Sequence, residues 1–349
     1  MNAPRILVCG SQVPFASGGA EVLVRTLAER LARHGCEVDV VQLPFSWRTR
    51  VQVLQSALAW RLLDLAEVSG RPVDRVIATR FPSYAVAHPY KVVWLVHQFR
   101  QAYDLRGTPW SDFADSAEDR QAAAALRSLD TRTLGEAAGR YAISRNVAER
   151  LRRFNGLDAE ALYPPPEHDG AYRCDGFGDY VFGVGRLDRL KRFDLLLRAL
   201  PHTRRPVRCV IAGTGPEREA LAALAERLGV AERVELPGWV DSDRLLELYA
   251  GCLAVFYAPY DEDYGYVTVE AFKSRKPVLT AADSGGVLEL VEDGVSGYVV
   301  PAEGARRLAA RLDELHAEPA RARALGAAGE RSVRGIGWER VLSRLAGLE

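Results

Sequence analysis

Two glutamates, Glu262 and Glu270, stand eight positions apart in the stretch FYAPYDEDYGYVTVEAF, residues 256–272. Residues 253–258 form a short apolar run that reads as a buried strand. Pro259 ends the run, and residues 260–266 form a polar loop with Gly265 near its close. From Val267, the apolar positions Val267, Val269, Ala271 and Phe272 before Lys273 fit the start of a helix. A junction of this kind collects unpaired backbone N–H groups and the positive end of a helix dipole, which together attract an anion. Carboxylates beside such amides can accept hydrogen bonds from the hydroxyls of a ligand. The same residues also have a plainer use. Glu270 would complement the helix dipole and Glu262 would be a solvated loop charge. Taken alone, the stretch fits both uses.

A second set of charges lies further upstream. Residues 180–184 read as a strand, and the loop after it carries Arg186 and Lys191 before a helix at 193–200. Two cations between a strand and a helix can neutralise a departing diphosphate, and an arginine can bind two of its oxygens at once. Four of the seven residues from 186 to 192 are basic, so a solvated basic loop is the alternative. Near the N-terminus, a strand at 5–10 and a loop with Pro14 lead to Ser17-Gly18-Gly19-Ala20-Glu21. That segment opens a helix at 22–34 with apolar positions Val22, Leu23, Leu27 and Leu31. A glycine pair there allows close backbone approach to an anion. His97 ends a strand at 91–97, the place where parallel α/β sheets bind ligands. A polar, aromatic loop follows at 98–112, with Arg100, Tyr103, Arg106 and Trp110 as candidates for shaping the mouth of a ligand site. Asp241 and Asp243 mimic a metal-binding D-x-D pair, but they precede Leu245, Leu246, Leu248 and Tyr249. They read as a helix cap with first-turn acids, and no metal ligands are assigned.

The elements that must position these groups alternate between strand and helix. A strand at 37–43 after the first helix completes a βαβ unit, so a parallel sheet is expected. Further strands fall at 73–79, 207–212, 234–240 and 276–280, with helices at 116–139, 147–154 and 308–325. Residues 47–67 read as an amphipathic helix with Val51, Leu54, Leu58, Leu62 and Leu65 on its buried side. Its Trp47, Arg48, Arg50, Trp60 and Arg61 leave a weak membrane-surface contact as the alternative. Three prolines at 164–166 and the polar stretch 168–178 form the best linker. The division is therefore 1–170, then 171–335, then a terminal helix at 336–349. A dinucleotide-binding oxidoreductase is disfavoured. Gly10 opens no G-x-G-x-x-G, and Gly183-Val-Gly185 and Gly213-Thr-Gly215 each give only half of it.

The bulk properties agree with this division. A chain of 349 residues is comfortable for two domains. Its 46 basic and 46 acidic residues balance, which gives no reason to expect a nucleic-acid partner. Five scattered cysteines, without a CxxC, read as reduced and buried. The opening apolar run is too short for a signal peptide, and no run reaches the roughly 20 apolar residues of a membrane helix. A cytoplasmic protein is expected, peripheral on the inner membrane face if the basic, aromatic helix touches lipid.

The E-x7-E pattern with its aromatic–glycine pair and E-A-aromatic ending resembles the retaining nucleotide-sugar glycosyltransferases of family GT4. Gly18 and Gly19, His97, and the Arg186/Lys191 pair fall in the family's order, so the resemblance covers nearly the whole chain. It implies an α/β GT-B fold, two Rossmann-like domains facing a central cleft, with the helix at 336–349 crossing back to the first domain. It also implies transfer of a hexose-type sugar from a nucleoside diphosphate sugar to a hydroxyl acceptor, without a metal. Glu262 would contact the donor sugar and Glu270 the ribose. Arg186 and Lys191 would contact the phosphates, and the backbone at Tyr264, Gly265, Tyr266 and Val267 the sugar and phosphate. Gly18 and Gly19 would lie against the diphosphate and His97 beside the reacting sugar. Asp263 stands where the family often has glycine, which bears on donor preference. The rival readings are a non-catalytic nucleotide-sugar-binding subunit, and epimerisation or phosphorolysis on the same fold.

Overall fold

A computed structural model describes residues 3–14, 18–114 and 116–348. The chain forms two compact units, residues 1–167 with 337–349, and residues 168–336.

The first unit is built on β1 (Arg5–Gln12), α1 (Gly19–Arg33), β2 (Glu37–Pro44), α2 (Arg50–Arg61), a small hairpin of β3 (Glu67–Val68) and β4 (Arg71–Pro72), and β5 (Arg75–Ala78). It continues through β6 (Lys91–Leu95), α3 (Ala117–Gly135), β7 (Gly139–Ala142), α4 (Arg145–Asn155) and β8 (Glu160–Ala161). Its main sheet is parallel, in the order β2-β1-β5-β6-β7-β8. The central strands β5 and β6 are buried along nearly all their length, as strands covered on both faces must be.

The second unit comprises β9 (Tyr180–Val184), α5 (Phe193–Ala199), β10 (Arg208–Ala212), α6 (Arg218–Arg227), β11 (Val234–Gly238), α7 (Ser242–Gly251) and β12 (Ala254–Phe256). It ends with α8 (Tyr266–Lys273), β13 (Val278–Ala281), β14 (Gly297–Val300), α9 (Ala305–Ala317) and α10 (Pro319–Ser332). Its parallel sheet runs β11-β10-β9-β12-β13-β14. Connections move one way from β9 through β10 and β11, then the other way from β12. The order reverses between β9 and β12, so the loops leaving these two strands diverge and open a crevice. The last helix, α11 (Trp338–Ala346), belongs to the first unit. Trp338 meets Trp94 edge to face at 6.4 Å, and Arg75 Nη1 donates to Leu345 O at 2.8 Å.

Several expected elements differ. The helix expected over 47–67 is only α2, and it buries Val53, Ala57 and Trp60. Of the expected stripe, Val51, Leu58 and Leu62 face out instead, exposed by 58%, 53% and 76%, while Leu54 is half-buried and Leu65, past the helix, is buried. Both stripes have helical spacing, and the larger Trp60 takes the interior. The helix expected over 308–325 is two helices, because Pro319 starts α10 and cannot continue α9. A short 3-10 turn at Gly286–Glu289 follows β13. Among the described residues no helix is long and apolar enough to cross a membrane.

Candidate functional site

The crevice of the second unit is bordered by three loops. The first leaves β9. Gly185 opens it at φ +145°, and Asp188 accepts a hydrogen bond from Lys191 N at 3.2 Å, closing a 3-10 turn over Arg189–Lys191. The loop after β10 supports it from behind. Leu187 N donates to Thr214 O at 2.9 Å, and a Cβ at Gly213 would lie 1.9 Å from Gly185 O. The half-fingerprint Gly213-Thr-Gly215 is thus a packing device between two loops. Its glycines are needed because backbone meets backbone there.

The second loop leaves β12 and carries Glu262. Lys191 Nζ lies 2.5 Å from Glu262 Oε2 and 3.2 Å from the Tyr257 hydroxyl. The two charged side chains are 19% and 25% exposed. Burial disfavours the Lys191 charge, but the Glu262 carboxylate and Tyr257 outweigh it and hold the ammonium above its ordinary range. Burial and the same carboxylate push the Tyr257 hydroxyl up, so it stays protonated. Glu262 is therefore half of an ion pair, and the solvated loop charge is ruled out by this contact.

Gly265, at φ +88°, ends the second loop and caps α8. A Cβ there would come within 2.9 Å of both Tyr257 and Val287, so the site needs glycine for space as well as conformation. Tyr266 begins the helix, with its ring 5.3 Å from that of buried Tyr264. Val267 follows in the first turn, and Glu270 in the second. Glu270 Oε2 accepts from the Tyr249 hydroxyl at 2.6 Å. Tyr249 is fully buried on α7 against Phe182. Its hydroxyl is pushed well up by burial and by Glu270. One oxygen of Glu270 is thereby fixed, which goes beyond complementing a dipole.

The third loop follows β13 and backs the second. Asp283 O accepts from Asp261 N at 2.8 Å, and Gly286 N donates to Glu262 O at 2.7 Å. Asp263 is half-buried, and a Cβ on Gly286 would fall 2.5 Å from its carbonyl oxygen. Arg186 is exposed at the start of the first loop and makes no ion pair with a described residue.

Lys191 and Glu262 meet between the first two loops, the start of α8 follows the second loop with Glu270 one turn on, and Arg186 opens the first loop. A fixed cation beside helix amides can hold a diphosphate. The carboxylates can accept from hydroxyls. Among the described residues no group of three or more His, Cys, Asp or Glu side chains is placed to hold a metal. Asp241 caps α7, accepting from Arg244 N at 2.9 Å.

Gly18, Gly19 and His97 lie in the first unit. Ser17, which belongs to the expected glycine loop, lies outside the described residues. Gly18 N donates to Glu21 Oε2 at 3.0 Å, so the chain's own carboxylate meets this amide. Glu21 pairs in turn with Arg80, which also donates to Ser11 O at 2.6 Å. The open glycine cradle expected from the sequence is here a capped helix start, because a glutamate at the third helical position reaches back to it. His97 follows β6, and its Nδ1 lies 2.9 Å from Gln98 O, a contact that favours the proton on Nδ1. In the loop after it, Tyr103 does not line an open mouth. It is 3% exposed, and its hydroxyl donates to buried Asp130 at 2.6 Å.

Sequence reasoning missed Tyr257, Tyr249, Arg192 and Asp283. Tyr257 had a local signal, a hydroxyl at the C-terminal end of an apolar strand. The others act over 21 to 91 positions in sequence, where no spacing rule applies.

Residues 174–332 match the family described as glycosyl transferases group 1. A D-inositol 3-phosphate glycosyltransferase of Nocardiopsis dassonvillei is 34% identical over 204 residues, 54% of this chain and 47% of that protein. The match spans about half the length of that relative. Sucrose-phosphate synthase from Thermosynechococcus elongatus superposes with a TM-score of 0.78 at 20% identity, over 99% of this chain and 98% of that one. HepE of Anabaena in complex with UDP-glucose gives 0.75 at 17%, over 98% of each chain. At such identities the structural likeness is one of fold. The family match falls within the second unit, and the fold that these structures share with the chain is GT-B.

Proposed function

We propose that this chain moves a hexose-type sugar from a nucleoside diphosphate sugar to a hydroxyl acceptor, with retention of the anomeric configuration. The observation that carries this reading is the Lys191–Glu262 contact of 2.5 Å beside the first turn of α8. A cation and a carboxylate on separate loops suit a ligand that offers phosphate and hydroxyls together. HepE, of the same fold, is solved in complex with UDP-glucose, which supports a nucleotide-sugar donor. The inositol phosphate relative supports a hydroxyl acceptor by its name.

In this reading Arg186, Lys191 and the amides from Tyr264 to Val267 take the diphosphate, and no metal is called for. Glu262 accepts from a sugar hydroxyl and Glu270 from the ribose, with its second oxygen held by Tyr249. The resemblance also gives Gly18 and Gly19 a diphosphate contact and His97 a sugar contact; a diphosphate at Gly18 would have to displace the Glu21 carboxylate from that amide. The bond from the anomeric carbon to the β-phosphate oxygen breaks, and its electron pair stays on that oxygen. The acceptor hydroxyl attacks from the same face and passes its proton to the leaving phosphate. The cations stabilise the charge that develops there. The activity belongs in the cytoplasm, and the exposed stripe of Val51, Leu58 and Leu62 on α2 supports a peripheral contact with lipid.

The test is calorimetry with UDP, GDP, ADP and dTDP in the presence of EDTA. One nucleotide should bind, and Lys191→Ala or Glu270→Ala should weaken that binding measurably. With the matching sugar donor, Arg186→Ala or Lys191→Ala should lower turnover roughly 10²- to 10³-fold. Near-normal rates in both would sink the assignment. Proton NMR of the product must show the donor's own anomer; an inverted product would end the retaining reading. Sedimentation with anionic vesicles should fall in Leu58→Asp and Leu62→Asp, and unchanged sedimentation would remove the lipid contact.

A further inference from the structure

Arg192 follows Lys191 and has no part in the chemistry above. Its backbone sits at φ +51°, a left-handed conformation that side chains other than glycine rarely adopt. Strain of this kind persists only where the surroundings impose it. Here its own side chain does so. The guanidinium is 15% exposed. Nε donates to Ala258 O at 2.7 Å, and Nη2 donates to Pro259 O at 3.0 Å. Nη1 and Nη2 also grip both oxygens of Asp283, at 2.8 and 2.6 Å. One planar fork therefore fastens three loops: its own after β9, the exit of β12, and the loop after β13. Only a guanidinium offers donors fixed in one plane for such a task.

The fastened loops carry the groups of the crevice. Lys191 directly precedes Arg192. Glu262 lies three residues beyond Pro259, on a loop whose Tyr260 N donates to Leu190 O at 2.8 Å. Asp283, gripped through its carboxylate, takes the Asp261 N–H on its carbonyl. We propose that Arg192, braced by Asp283, is a positioning residue that sets the Lys191–Glu262 spacing and with it the affinity for a nucleoside diphosphate. This rests on the donor-binding reading above, and Arg192 itself touches no ligand in it.

Arg192→Gly accepts the left-handed backbone without strain and removes the fork. Arg192→Lys keeps the charge and loses the planar geometry. Calorimetry would give Kd for whichever of UDP, GDP, ADP or dTDP the unaltered chain binds. The variants are Arg192→Gly, Arg192→Lys, Lys191→Ala and the double variant Lys191→Ala/Arg192→Gly. All are measured at a temperature where circular dichroism shows each fully folded. Affinity should fall about 10- to 100-fold in both Arg192 variants, the scale for a misplacement near 1 Å. In the Lys191→Ala background, Arg192→Gly should add less than about threefold, because both act through one group. A purely structural role would lower the melting temperature and leave Kd alone. Unchanged affinity in Arg192→Gly, wild-type affinity in Arg192→Lys, or full additivity in the double variant overturns the proposal by itself. An unaltered chain that binds none of the four nucleotides overturns the donor-binding reading, and the proposal falls with it.

Discussion

Asp130, on α3, is fully buried, and burial pushes its carboxyl up to about 7 against the pull of the Tyr103 hydrogen bond. A carboxyl held higher in the folded than in the unfolded chain binds a proton more readily when folded. Its contribution is fully present below the unfolded value near 4 and is lost as pH rises through 7. Urea melts of the unaltered chain and of Asp130→Asn should therefore diverge as pH rises across that window. The unaltered chain loses up to about 1.4 kcal/mol per pH unit relative to the variant. Parallel pH profiles would contradict the buried carboxyl. The cysteines give a second test. Burial pushes the thiols of Cys9, Cys209 and Cys252 up to about 12, while Cys174 is partly exposed. A thiol reagent under native conditions should modify Cys174 first and reach those three only on unfolding. Fast reaction of more than two thiols would refute this.

Among the elements, α2 separates what the sequence discloses from what it hides. Trp60→Ala should cost about 3–5 kcal/mol in denaturant melts, while Leu58→Ala and Leu62→Ala should stay within about 0.5. The reverse order would mean that the expected stripe is the buried one. The sequence could not decide between the two faces, because both keep the helical period and burial depends on what α3 and the turn at Ser83–Ala85 offer. The loop bearing Glu262 was legible for the opposite reason. An apolar run, Pro259 and Gly265 are strong local signals, and the strand, loop and helix follow them within a residue or two. Lys191 and Glu262 were each legible as candidates, but their contact was not. It depends on strand order, which puts β9 beside β12 although their first residues, Tyr180 and Ala254, lie far apart in the sequence. The capped helix start at Gly18 was hidden in the same way. Glu21 was visible in the sequence, but its pairing with Arg80 comes from the neighbouring strands β1 and β5.

For the molecule as a whole, each unit has its own sheet and its own interior, so residues 168–336 should fold alone and melt cooperatively. A fragment without a cooperative transition would show that this unit depends on the first. Removing residues 337–349 should destabilise the first unit by several kcal/mol, because it uncovers Trp94 and the buried face of Val341, Leu342 and Leu345. An unchanged melt of that unit would make α11 dispensable.

That last helix also sets an order of events during translation. The second unit is contiguous, so its interior can close as soon as its final strand and helices leave the ribosome. The first unit begins earlier yet lacks α11 until the whole of the second has been made. The polypeptide that emerges first is thus completed last, and its tryptophan-lined surface stays open to chaperones for the whole interval.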